Sequence, residues 1–246
     1  SKWNTENIIN LSAIFACSSL SSLPDISGWK TNKVESIACL FQSCRNVTSL
    51  PDISKWNTSK VQDMAFVFDE CSKLEYFPDI SKWETTNVID MQQTLSKCPL
   101  IKKLPDISNW DITSVKNMSY LFHGLESITS LPDISNWNTK NVQNMGGLFA
   151  GCKNVSTIPD ISKWNTSNVE DLSLMFDSCH SMQVSPPGIE NWNVKKVKTM
   201  QGMFQDCSSL LDPPKFPEKW NISNVEDMSF MFAGCLKMRS LDIQQT

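Results

Sequence analysis

The sequence is poor in the residues that build reactive centres. Its 246 residues include only two histidines, two tyrosines and eight glycines. It has no C-x-x-C pair, glycine-rich phosphate loop or G-x-S-x-G motif, and His123 and His180 lie far apart in the chain. Catalysis needs unlike groups that converge, and a zinc site needs closely spaced ligands. We therefore expect no enzyme, no cofactor and no metal centre.

Charge and hydropathy exclude two further classes of protein. The formal net charge is -4, and no polybasic segment is present. Nucleic-acid-binding domains carry a basic surface, so no nucleic-acid partner is expected. No apolar run approaches the roughly 18 residues that a spanning helix needs, so no membrane-spanning segment is expected in this sequence.

Tryptophan reveals an internal repeat. The intervals between successive tryptophans are 26 to 28 residues, and twelve residues after each one stands a phenylalanine in eight cases and Leu95 in the ninth. The surrounding phrase also returns, as PDISKWNTSNV at 159–169 and PDISKWNTSKV at 51–61. We interpret 1–246 as one repeat domain of about nine units, and as a fragment of a longer array. The tryptophans are Trp3, Trp29, Trp56, Trp83, Trp110, Trp137, Trp164, Trp192 and Trp220.

The pattern of apolar residues within each unit predicts one short strand and one short helix. In 168–178 apolar residues recur at the spacing of an amphipathic helix, and Ser167 with Glu170 matches a capping box. Ahead of the repeated phrase lies a short apolar segment that ends near a proline, which is disfavoured inside a strand. The predicted fold class is an α/β solenoid, similar to a leucine-rich repeat.

The motif also points to a known family. The stretch SLPDISNWNTKNVQNMGGLFAGC at 130–152 resembles the BspA-like leucine-rich-repeat surface proteins, and the likeness spans essentially the whole chain. The resemblance implies a leucine-rich-repeat-like solenoid, a cell-surface or secreted location, adhesion or partner binding, and no enzyme activity. QVSPPGIENW and LDPPKFPEKW depart from the motif, so we expect less regular repeats over 183–246.

Residues that recur in every unit are expected to serve the core. The tryptophans should pack between units, with each indole N–H bonded to a backbone carbonyl. Eight of the nine cysteines lie fourteen or fifteen residues after a tryptophan, at a site that Leu125 occupies in the fifth unit, so we favour buried free thiols over disulfides. The N-x-S/T sequons, among them Asn57 and Asn165, leave a glycan possible in a secreted eukaryotic protein.

One aspartate per unit is the most prominent repeated charge. Stacking should place these carboxylates in a row, where like charges repel unless each is held locally. We expect each carboxylate to accept an amide N–H two residues on. An acidic ladder that binds calcium is the alternative, although one carboxylate per unit is few ligands for that ion. The ladder consists of Asp25, Asp52, Asp79, Asp106, Asp133 and Asp160.

The varied positions are better candidates for function. A pair of residues between two apolar positions differs from unit to unit and should point outward. Glu75 and Tyr76 in one unit, with Lys102 and Lys103 in the next, form a candidate partner-binding patch. A solvated polar face is the alternative. We therefore expect a non-catalytic scaffold for protein recognition or adhesion at the cell surface. The second hypothesis is an intracellular structural component that contacts its assembly through solenoid flanks or ends.

Overall fold

The structure is a computed structural model, and it describes residues 3–212 and 220–239. Across these residues the sole helical element is a single 3-10 turn, Ile189–Asn191, and no regular β-strand is formed. Isolated parallel bridges connect each unit to the next, for example Asp90 to Asn117 and Asn117 to Asn144. The units therefore stack as successive coils of one array, which confirms the repeat.

The coils are joined by a ladder of backbone hydrogen bonds. Amides at alternate positions donate to carbonyls of the following unit. The bond from Leu174 N to Gln201 O measures 2.7 Å, and that from Phe176 N to Met203 O measures 2.9 Å. A helix would send these amides to carbonyls four residues back. The predicted helix over 168–178 was therefore wrong.

Tight turns replace the helix within each coil. The amide of Asp177 donates to the carbonyl of Leu174 at 3.0 Å, and that of Cys179 donates to Phe176 at 3.2 Å. Leu174 and Ser178 have φ of 54° and 56°, in the left-handed region. The same two positions, ten and fourteen residues after the tryptophan, have positive φ in the other units too. Examples are Cys39 with Ser43, Phe66 with Glu70, and Gly147 with Gly151.

The predicted strand before the proline is also absent from the described residues. In the described ranges the bridges lie seven residues after the tryptophan, and only Val184 with Asp212 pairs ahead of a proline segment. Elsewhere that segment contributes single bonds to the neighbouring unit, such as Glu75 N to Thr48 O at 3.1 Å. Proline has no amide to donate, so this segment cannot extend a ladder.

Two aromatic ladders form the core. Phenylalanines of successive units stack with centroid distances such as 5.8 Å for Phe122 with Phe149, and both rings are fully buried. The indole N–H of Trp110 donates to the carbonyl of Ile80 at 3.3 Å. Trp56, Trp83, Trp137, Trp164 and Trp220 make the same bond to isoleucines of the preceding unit. The predicted role is confirmed for these six tryptophans, whereas the buried indole N–H groups of Trp29 and Trp192 have no hydrogen-bond partner among the described residues.

The cysteines form a third ladder. The thiol of Cys152 donates to the carbonyl of Phe122 at 3.2 Å, and burial raises its pKa to about 12. Corresponding bonds join Cys71 to Phe41 and Cys179 to Phe149. All nine cysteines are free, which agrees with the prediction of free thiols. Burial is incomplete at three of them, Cys17, Cys39 and Cys235.

Side chains of the repeated phrase fix the turns. Thr58 is buried, and its hydroxyl accepts the amide N–H of Glu84 at 2.8 Å and donates to the carbonyl of Glu84 at 3.0 Å. Ser167 does not cap a helix. Its amide and its hydroxyl donate to Asn165 Oδ1, at 3.0 and 2.7 Å. Asn and Ser thus close an Asx turn instead of starting a helix.

The unit after 183 departs from the regular coil, as the sequence predicts. Gly188 has φ 87° and precedes the 3-10 turn Ile189–Asn191. The indole N–H of Trp192 is buried and has no hydrogen-bond partner. The remainder of this prediction falls partly on 213–219 and 240–246, which lie outside the described residues.

Candidate functional site

A groove of about 760 Å³ runs across the third, fourth and fifth units. Its walls come from residues within 76–81, 103–108 and 130–133, which are the same stretch of three successive coils. We call it the proline groove, because Pro78, Pro105 and Pro132 all line it. Each proline ends the apolar segment of its unit, so stacking places the three rings in a row.

The floor of the proline groove is apolar. Phe77 and Leu104 are 8% and 6% exposed and line the groove, while Leu131 is half-buried. These residues follow the varied pair in each unit, and the varied pair itself is exposed. In each of these units an exposed varied pair is followed by an apolar residue that is buried or half-buried. The variable side chains therefore lie at the edge of the groove, whose floor is similar in all three units.

The structure places the candidate patch in two locations. Tyr76, which is 56% exposed, and Lys103 both line the proline groove. Glu75 and Lys102 are exposed as predicted but lie outside the lining. The groove therefore uses one member of each varied pair.

Part of the acidic ladder lines the same groove. Asp79, Asp106 and Asp133 line it, while Asp25 and Asp52 do not. Asp106 Oδ1 accepts the amide N–H of Ser108 at 3.0 Å and its hydroxyl at 2.7 Å. The amide bond to the residue two positions on recurs in all six aspartates, as predicted.

Hydrogen bonds keep these carboxylates ionised. The hydroxyl of Ser108, and then its amide, hold the pKa of Asp106 below its usual value. The pKa values of Asp79 and Asp133 are lowered in the same way by Ser81 and Ser135. The groove thus presents a row of negative charges at neutral pH.

The groove continues into the sixth unit. A neighbouring depression of about 420 Å³ shares Ser130, Leu131 and Asp133 with the proline groove, and it extends to Ile158 and Asp160. The channel therefore follows the direction in which the coils stack, over four units.

A second polar cluster was missed by the sequence analysis. Glu70 bonds to Arg45 and to Lys97, the latter at 3.1 Å, and these cations lower its pKa to about 2. The neighbouring Asp69 is 2% exposed, and Ser96 Oγ donates to it at 2.7 Å. Gln42 and Gln93 also donate to Asp69. These seven residues stand at positions whose residue type differs between units, so no repeated motif indicated the cluster.

The cluster serves stability more than chemistry. Its acids are satisfied by neighbours in adjacent coils, and His123 beside it is half-buried, with its Nδ1 atom buried and unpartnered. Burial, and then the charge of Lys97, lower the pKa of His123. Within 3–212 and 220–239 no three His, Cys, Asp or Glu side chains come together as metal ligands. No helix in that part of the chain is long and apolar enough to cross a membrane.

Comparison with known proteins gives a family and two weak structural likenesses. The leucine-rich repeat protein TpLRR of T. pallidum shares 14% identity, with a TM-score of 0.39 over 85% of this chain and 75% of that one. A leucine-rich repeat protein from Bacteroides ovatus ATCC 8483 shares 19% identity, with a TM-score of 0.32 over 84% and 58%. No curated protein matched the chain. Four overlapping stretches, 1–103, 40–157, 96–211 and 127–245, match the family described as "Mycoplasma protein of unknown function, DUF285". The chain belongs to this DUF285 family.

Proposed function

We propose that this chain is a non-catalytic repeat scaffold that recognises a protein partner at the cell surface. The observation that carries the proposal is the proline groove, where unlike residues from successive coils, Tyr76 and Lys103 among them, surround an apolar floor. Exposed tyrosine beside a cation and an apolar cleft is typical of protein-binding surfaces. The resemblance to BspA-like surface proteins supports the location and an adhesive role.

The chemistry of the groove supports binding without catalysis. Its lining contains serine, aspartate, lysine and tyrosine, but no histidine or cysteine. The hydroxyls of Ser81 and Ser108 donate to Asp79 and Asp106, which close their own turns. A serine nucleophile needs a base that is held by a third group, and this arrangement offers none.

The proposal is tested with a peptide ligand selected against the chain from a displayed random library. We expect Tyr76→Ala combined with Lys103→Ala to weaken that peptide about tenfold or more, because both side chains face the groove. The matched control is Thr48→Ala with Ser49→Ala, the varied pair of an earlier unit outside the groove. Equal affinity of both double variants would refute a role for the groove. Protease accessibility of the chain on intact cells tests the location.

A second candidate function is a structural role in a larger assembly. Large apolar side chains are exposed in the first described unit, where Trp3 is 68% and Ile9 is 54% exposed. They are also exposed in the last, where Phe230 is 62% and Leu236 is 84% exposed. Exposed apolar surfaces of this kind commonly contact other chains or, in a repeat array, further repeat units. Sedimentation that depends on concentration, and that Phe230→Ser abolishes, would favour this role. Concentration-independent sedimentation of the monomer would exclude self-assembly through these surfaces.

A further inference from the structure

The aspartates of the proline groove have unused hydrogen-bonding capacity. Asp79 and Asp106 each accept both the amide and the hydroxyl of their serines through Oδ1. Their Oδ2 atoms, and that of Asp133, accept no hydrogen bond from the described residues. A carboxylate can accept several bonds, so each unit offers an oxygen to a ligand in the groove.

The repeated phrase breaks its charge pattern inside this groove. A lysine follows the aspartate by three residues at Lys55, Lys82 and Lys163, but Asn109 and Asn136 occupy this position in the two intervening units. Bonds from Ser81 and, to a smaller extent, the charge of Lys82 lower the pKa of Asp79, whereas Ser108 lowers that of Asp106. The lysine that follows the aspartate elsewhere in the repeated phrase is therefore absent three residues after Asp106 and Asp133.

Other lining residues carry the complementary features. Lys103 lines the groove and forms no salt bridge within the described part of the chain. Tyr76 stands beside it on the preceding coil, and the floor is formed by Phe77, Leu104 and proline rings. The lining of the channel thus combines acidic, cationic and aromatic side chains that are exposed with apolar side chains that are largely buried.

The spacing of the coils suits an extended polypeptide. Backbone hydrogen bonds join adjacent coils, which sets their backbones about 4.8 Å apart, and equivalent rings such as Phe122 and Phe149 stack at 5.8 Å. An extended chain rises about 3.3 Å per residue and turns alternate side chains to opposite faces, so side chains on one face recur about every 6.6 Å. One ligand side chain per coil can therefore face the groove, and flexible lysine side chains absorb the mismatch over three coils.

We propose that the proline groove binds an extended segment of a partner protein that has basic residues at alternate positions. Its basic side chains bond to Asp106 and Asp133, and an acidic side chain between them meets Lys103. Apolar stems of the ligand lie on the leucine and proline floor. This inference rests on the proposed function and specifies the partner that the groove selects.

The test uses a fluorescein-labelled heptapeptide with lysine at its odd positions, glutamate at the fourth and serine elsewhere. We expect Asp106→Asn combined with Asp133→Asn to weaken binding about tenfold, since two partly exposed charge contacts are lost. Asparagine retains the oxygen that closes the turn, so the coil is preserved. Asp25→Asn with Asp52→Asn, in the same row but outside the groove, should change affinity less than twofold.

A second peptide of the same composition with its lysines contiguous should bind several-fold more weakly, because only alternation presents one cation to each coil. The inference is overturned by an absence of binding near 1 mM peptide, by equal losses in both pairs of variants, or by equal affinity for both peptides. Displacement of the peptide by millimolar calcium chloride would identify a cation strip instead. In a further outcome, Tyr76→Ala with Lys103→Ala weakens binding of the library-selected peptide while the aspartate variants leave the affinity of the lysine peptide unchanged. That result would support the proposed function and refute this inference.

Discussion

Three glycines that differ in φ and in surrounding space test the coil geometry in one graded experiment. Gly28 has no positive φ, and a Cβ added there meets nothing within 4 Å. Gly124 has φ +68°, but the nearest atom to an added Cβ is Lys97 Cα at 3.4 Å. Gly188 has φ +87°, and an added Cβ lies 2.2 Å from Ser162 Cα. Alanine is therefore expected to meet no penalty at 28 and backbone strain at 124. At 188 it meets both backbone strain and a steric clash.

The expected losses follow from these distances. Gly28→Ala should change the free energy of unfolding by at most about 0.5 kcal/mol, or stabilise the chain slightly. Gly124→Ala should cost about 1 kcal/mol for a left-handed non-glycine residue. Gly188→Ala adds a clash with backbone that cannot rotate away, for a total of about 2–5 kcal/mol. In a chain of this size about 1 kcal/mol lowers Tm by roughly 2–4 °C, so Gly188→Ala should lower it by about 5–15 °C.

Urea and thermal unfolding followed by tryptophan fluorescence provide the assay, because eight of the nine indoles are buried between coils. All three variants are compared with the parent at one protein concentration. Equal midpoints for Gly188→Ala and Gly28→Ala would refute the coil geometry at 188. A loss at Gly124→Ala as large as that at Gly188→Ala would show that strain alone, and not contact between coils, decides the cost.

Three further predictions concern the ladders and the ion-pair cluster. Trp110→Phe removes the N–H that Ile80 O accepts, so thermal unfolding should show a loss of about 1–3 kcal/mol; an unchanged Tm would contradict the bond. Iodoacetamide in buffer should alkylate the exposed Cys17 and spare the buried Cys71 until urea is added, as peptide mass mapping would show; equal labelling, or 2 Da losses on oxidation, would contradict buried free thiols. Glu70, with its pKa lowered to about 2 from 4.5, stabilises the fold above pH 4.5, and this contribution is lost as pH falls towards 2. Glu70→Gln should therefore lose less Tm than the parent over that interval, and parallel losses would contradict the ion pairs.

The stacking of units could be predicted from the sequence because it depends on residues that recur. An aromatic residue that recurs in every unit packs against the equivalent residue of the next unit, as Phe122 stacks on Phe149. Thr58 and Asp106 are likewise polar residues within a repeated phrase, and their hydrogen bonds are local or reach the adjacent coil. Such contacts follow from composition and register without a detailed backbone.

The backbone between them could not be predicted in this way. Each turn is closed by a hydrogen bond from an amide to the carbonyl three residues before it, as from Asp177 to Leu174 and from Cys179 to Phe176. Successive turns of this kind bury a residue at about every third position. This spacing is close enough to 3.6 that it mimics a helical stripe. The glycines in GGLFAG at 146–151 are the signal against a helix, since two glycines in one short helix are costly and here Gly147 and Gly151 have positive φ.

The site was predicted only in its parts. Tyr76 and Lys103 were identified because they vary, and Asp106 and Asp133 because they recur. That both sets line one groove depends on how the proline segment lies across three coils, which no single unit specifies. The cluster around Asp69 escaped for a related reason, because its partners come from neighbouring units and share no pattern.

The central claim is that amides of each coil bond to the next coil and not along a helix. Hydrogen-bond scalar couplings between amide nitrogen and carbonyl carbon, measured on the deuterated chain, test it directly. The structure predicts a correlation from Leu174 N to the carbonyl of Gln201, and from Phe176 N to that of Met203. Correlations from Leu174 N to the carbonyl of Glu170, four residues back, would show a helix and contradict the account.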